Sequence, residues 1–167
     1  MSRGRSGGGD GLSPAPPPVL WARKMPYQYL DEIAKADVAF EAWGETQEKM
    51  FIAAADAMMN VMVADLSTIR MKERRSLHLE ADALDMLLFE LLQELIFQKD
   101  ASRLLLRVKE LRILRQVENY CLTGAAEGEE LDPRRHDLIV DVKAVTLHRF
   151  GVERTDGGWK AMVILDI

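Results

Sequence analysis

The 167-residue sequence predicts an α+β fold: a two-layer sandwich with a mixed, largely antiparallel sheet and two helices packed on one of its faces. Three observations lead there. Apolar residues recur at helical spacing in two segments, around 50–62 and 84–96. The other regular segments alternate with the period of a strand. The order is strand, helix, strand, helix, then four strands, for which two helices on one face of a sheet is the natural layered solution. An apolar share of 48% is enough to build a core at this length without disulfides or metals as staples.

Residues 1–24 are rich in Gly, Ser and Pro, including Gly7-Gly8-Gly9 and Pro14-Ala-Pro-Pro-Pro18. Such a segment buries too little apolar surface to offset its ordering entropy, so it reads as a disordered tail. Met25 follows it and is a second candidate start, in which case 1–24 would not be translated. Residues 25–167 then form a single domain.

Tyr27 and Tyr29, then Val38, Phe40 and Ala42, read as a first strand interrupted around 31–36 and ended by a turn at Gly44. Thr46 is a natural N-cap, with Glu48 well placed in the first helical turn. Met50, Phe51, Ala54, Met58, Val61 and Met62 form one apolar stripe, and the methionines read as core rather than as an adaptable binding face. Arg75 to Ala81 alternates as a strand. Asp82 is then expected to cap a second helix, with Asp85 three residues on. Its wide face of Leu84, Leu87, Leu88, Leu91, Leu92, Leu95 and Ile96 predicts the more buried of the two helices. From Leu104 to Leu114 the alternation changes phase, and a bulge near Glu110 would restore it. Val117 to Ala125, Ile139 to Glu153 and Trp159 to Ile167 complete the strands, the last two joined by the hairpin signal Thr155-Asp-Gly-Gly158.

The charge is uneven: 1–24 carry +3, so the remainder of this −5 chain carries −8. An acidic folded part argues against a general phosphate-binding surface. Arg107, Lys109, Arg112 and Arg115 read as the solvated outer face of one strand. No apolar stretch approaches membrane-spanning length, and the N-terminus lacks a signal-peptide apolar region. The single cysteine, Cys121, is expected as a buried reduced thiol, which fits a cytoplasmic protein with no membrane partner. There is no nucleophile elbow, and no phosphate-binding glycine loop in the folded part. His78, His136 and His148 lack zinc-ligand spacing and read as structural or solvated.

The carboxylates are more informative. Asp166 precedes Ile167, whose main-chain carboxylate would lie beside it at the end of a strand, and Asp37 stands at the start of another. If these strands are antiparallel neighbours, Asp37, Asp166 and Ile167 converge at one sheet edge. Oxygen ligands of this kind suit calcium or magnesium, and Lys143 or a partner's basic group is the alternative counter-charge.

Tyr29-Leu-Asp31, Asp37 and Ala42-Trp43-Gly44-Glu-Thr46 resemble the opening of the archease family. Gly128-Glu-Glu-Leu-Asp-Pro-Arg-Arg-His136, Val142-Lys-Ala-Val-Thr-Leu-His148 and Asp166-Ile167 resemble its C-terminal half. The resemblance spans Pro26 to Ile167. It implies a small α+β protein cofactor, not itself an enzyme, that activates an RtcB-type RNA ligase. The implied role is to promote ligase guanylylation and multiple turnover in tRNA splicing and RNA repair, meeting tRNA only indirectly. It also implies a divalent metal at Asp37, Asp166 and Ile167, and functional roles in ligase activation for Asp37, Lys143 and Asp166. The chain departs from the family's Asp-His-Thr-Ala-Asp, reading Asp31-Glu-Ile-Ala-Lys-Ala-Asp37. Two other readings stand beside this one: a diverged archease-like binding protein without ligase activation, and a metal-dependent hydrolase using the same carboxylates on water.

Overall fold

The computed structural model describes residues 26–30 and 37–167. The predicted tail and the altered 31–36 segment therefore lie outside the described residues. Strands β1 (Tyr27–Leu30) and β2 (Asp37–Gly44) lead into helix α1 (Gln47–Met62), a short 3-10 turn (Leu66–Thr68) and β3 (Glu73–Ala81). Helix α2 (Leu84–Ser102) is followed by β4 (Leu104–Arg115), β5 (Tyr120–Glu130), β6 (Ala144–Thr155) and β7 (Gly158–Asp166). The α+β class and the two helices are as the sequence predicts. The strands divide into two wholly antiparallel sheets, ordered β1-β2-β7-β6 and β3-β5-β4.

Several boundaries differ from the sequence reading. The interrupted first strand is a pair: β1 runs back along β2, with Tyr27 opposite Ala42 and Leu30 opposite Ala39. Strand β5 starts at Tyr120, since Val117 is fully exposed, and runs on through Glu127-Gly-Glu-Glu130. The acidic end is held in the sheet, where Arg74 pairs with Glu127 at 3.0 Å and Gly128 lets the Leu105 carbonyl come close. Strand β6 begins at Ala144, not Ile139. Between Thr146 and Gly151 it bulges by several residues, with Arg149 at φ 54°. The bulge between Val108 and Glu110 occurs where the phase change predicted it.

The helix starts follow their caps. Thr46 accepts from the Lys49 amide at 3.1 Å, as expected. At α2 the N-cap is Ala83 rather than Asp82, with no side-chain bond, and Asp85 instead accepts from the Met86 amide within the first turn. The predicted burial ranking is reversed. Helix α1 buries ten of its 16 residues, α2 seven of 19. The reason is placement: α1 packs on β2, β7 and β4, so small Ala53, Ala54 and Ala57 are enclosed between elements of both sheets. Helix α2 packs on β3, β4, β5 and β6 but leaves Phe97 exposed. Phe40, Met50, Phe51, Met58, Leu88, Leu92 and Leu105 form one continuous core with Val163 and Leu165, so the methionines are core residues. No helix among the described residues is long and apolar enough to cross a membrane.

Candidate functional site

On β2 and β7 the side chains alternate between two faces. Val38, Phe40 and Ala42 with Ala161, Val163 and Leu165 point into the core. The residues between them, Asp37, Ala39 and Glu41 with Met162, Ile164 and Asp166, therefore share the opposite face. Register sets Asp37 directly opposite Asp166, and Asp166 is in turn opposite Ala144 of β6. The Lys143 amide donates to the Asp166 carbonyl at 2.8 Å. Asp37, Lys143 and Asp166 thus meet at one end of the four-stranded sheet, with Ile167 next in chain and packed against the core.

The approach to Lys143 is held firmly. Lys99, at the end of α2, is buried and pairs with Asp100 and Asp141 at 2.6 and 2.5 Å. Val142 is fully buried, and the side-chain oxygen of Gln93 accepts from the Val145 amide at 3.1 Å. Lys143, between these anchors, is exposed.

Charge balance distinguishes this rung from its neighbours. Further along the same face, Glu41 and Glu153 share Lys160 at 3.7 and 3.0 Å, and the hydrogen bond that Lys160 donates to Glu153 holds its pKa above the ordinary value. Among the described residues, Asp37 and Asp166 have no such ion-pair partner. Like charges directly opposite in a sheet are mutually destabilising, so this pair has the donor chemistry and the unbalanced charge that suit a hard divalent cation.

A second cluster escaped sequence reasoning. Glu129 is nearly fully buried, yet accepts from the Arg70 amide at 3.0 Å and pairs with Arg135 and with His136 Nε2, the latter at 2.9 Å. His136 Nδ1 accepts from the Asp132 amide, so the proton sits on Nε2 and is donated to Glu129. Burial alone would raise the Glu129 pKa. The Arg70 amide, His136 and Arg135 outweigh it and bring the pKa down to about 2. The cluster fastens the 131–136 turn to β5 beside a cleft of about 440 Å³ lined by Lys72, Glu73, Glu129, Glu130, Asp132 and Arg135. Its signal in the sequence was the mixed-charge run Gly128–His136. His136 is structural, as expected. Arg107 departs from the solvated reading of its strand, gripping Asp56 of α1 through two 3.0 Å bonds, while Lys109, Arg112 and Arg115 are exposed.

Comparison with known proteins bears on this arrangement. Residues 27–167 match the model of the Archease protein family (MTH1598/TM1083). A protein archease of Methanopyrus kandleri is 34% identical over 143 residues, covering 86% of this chain and all of the relative. One from Pyrococcus abyssi is 35% identical over 133 residues, covering 79% of this chain and 93% of the relative. The solution structure of protein 1598 of Methanobacterium thermoautotrophicum superposes with a TM-score of 0.74 at 35% identity, covering 86% of this chain and 99% of that one. A Thermotoga maritima crystal structure described as an archease, possible chaperone, shares the fold with a TM-score of 0.54 at 18% identity, over 84% of this chain and 98% of that one.

Proposed function

The chain belongs to the archease family, and from that premise we propose that it activates an RtcB-type RNA ligase by promoting ligase guanylylation and repeated turnover. In this reading it acts as a protein cofactor in tRNA splicing and RNA repair, in the cytoplasm, and meets tRNA only through the ligase. The observation that carries the proposal is the Asp37–Asp166 rung with Lys143 hydrogen-bonded beside it. Asp37 and Asp166 come from the paired strands β2 and β7, and Lys143 from the segment that leads into β6.

Asp37 and Asp166, with main-chain oxygen from Ile167, would hold a calcium or magnesium ion. The cation would supply positive charge that offsets the two carboxylates and presents an ordered, oxygen-rich edge to the ligase. Lys143 offers an exposed ammonium at the same edge, suited to an acidic group or phosphate on the partner complex. The rigid anchors around it, Lys99–Asp141 and Val142, keep that ammonium's backbone fixed and limit the ordering cost of docking.

A guanylylation time course of the cognate ligase, with and without equimolar protein, tests the reading. Wild type should accelerate formation of the ligase–guanylate adduct. Asp37→Asn, Lys143→Ala and Asp166→Asn should each remove most of the stimulation while leaving the fold intact by circular dichroism. Full stimulation by the two Asn variants would overturn the assignment.

A further inference from the structure

We infer that the outer face of the three-stranded sheet carries a second metal site, for zinc(II), held by His78, Glu80 and Cys121. His78 and Glu80 are two apart on β3 and so lie on one face of the sheet. In register, Glu80 stands opposite Cys121 of the central strand β5. The intervening Leu79, with Leu77 and Leu122, belongs to the core side. One ligand atom from each of the three residues lies within 4.8 Å of the others, and His78 Nε2 is already 3.7 Å from Glu80 Oε1.

Zinc–sulfur and zinc–nitrogen bonds of about 2.3 and 2.0 Å require the donors to draw in by roughly 1 Å. The two side chains that must move are free to do so, with His78 and Glu80 exposed to 67% and 54%, while Cys121 is held on the central strand at 8% exposure. An imidazole, a carboxylate and a thiol form the mixed set that selects zinc over calcium or magnesium. The site thus differs in kind from the all-oxygen edge at Asp37 and Asp166, which belongs to the other sheet. Three protein ligands leave a fourth tetrahedral position open to water or an added ligand. The exposed Arg112 stands opposite Thr123 in the same row as His78. Binding draws the thiol proton off, cross-links β3 to β5 and covers the sulfur.

Cobalt(II) serves as the probe because its thiolate complexes have a charge-transfer band in the near ultraviolet. The wild-type protein should bind one cobalt ion with that band, and zinc should displace it. Cys121→Ser should lose the band, and His78→Ala should bind zinc at least tenfold more weakly. Asp37→Asn/Asp166→Asn should keep the band, which separates this site from the carboxylate edge. Independently of any variant, stoichiometric zinc should slow iodoacetamide alkylation of Cys121 relative to chelator-treated protein. A cobalt complex without a thiolate band, unchanged zinc affinity in His78→Ala, or an alkylation rate indifferent to zinc would each overturn the inference.

Discussion

Glu129 is a buried acid kept charged by three donors, and its linkage to folding follows from the direction of its pKa. The folded value, about 2, lies below the ordinary 4.5. The folded state therefore binds this proton less readily than the unfolded chain. The resulting stability is fully present above about pH 4.5 and is lost as pH falls towards 2. The urea midpoint of the wild-type protein should decline across that window, and Glu129→Gln should flatten that part of the profile. At neutral pH the same substitution should cost about 2–3 kcal/mol, because Arg135 and the Arg70 amide lose their charged acceptor. Asp37 and Asp166 make the opposite case. Replacing either with Asn removes a cross-strand repulsion. Melting temperature in chelator should therefore rise or hold, whereas the increase produced by added calcium or magnesium in the wild type should disappear.

At the level of elements, two backbone positions are under opposite constraints. Arg103 ends α2 at φ 56° and ψ 30°, the left-handed conformation that favours glycine. Arg103→Gly should stabilise the protein by about 0.5–1 kcal/mol in chemical denaturation, since its side chain makes no bond that would be lost. Gly128 shows the reverse. A Cβ there would fall 1.7 Å from the Leu105 carbonyl oxygen, a contact only strand separation can relieve. Gly128→Ala should cost roughly 3 kcal/mol or prevent folding, read by the same method. Such features explain the uneven legibility of the elements. The α1 cap and the β4 bulge follow from local chemistry: Thr46 reaches an amide three residues on, and the alternation itself breaks at Glu110. The extent of β5 does not, because its acidic end is extended only through partners more than 20 residues away, Leu105 and Arg74.

For the whole molecule, the decisive fact is that both helices pack against both sheets and share one core. Neither sheet buries its inner face without them, so the two should unfold as one cooperative unit. Native-state hydrogen exchange tests this. The amides of Phe40 in the four-stranded sheet and Leu122 in the three-stranded one should open with the same free energy, with no earlier opening of one sheet. The division into two sheets was hidden from the sequence because strand alternation specifies which face is apolar but not which strand is the neighbour.

Local information sufficed for the α+β class, the two amphipathic helices, the core methionines and the candidacy of Asp37, Lys143 and Asp166, since each depends on periodicity, a cap or a short motif. Family membership is likewise carried by residues contiguous in the chain. Tertiary structure alone decided that Asp37 faces Asp166, that Glu129 is an anchored buried charge and that His78, Glu80 and Cys121 gather on one face. These are relations between strands up to 129 residues apart, fixed by pairing register and shared burial, and no local pattern encodes them.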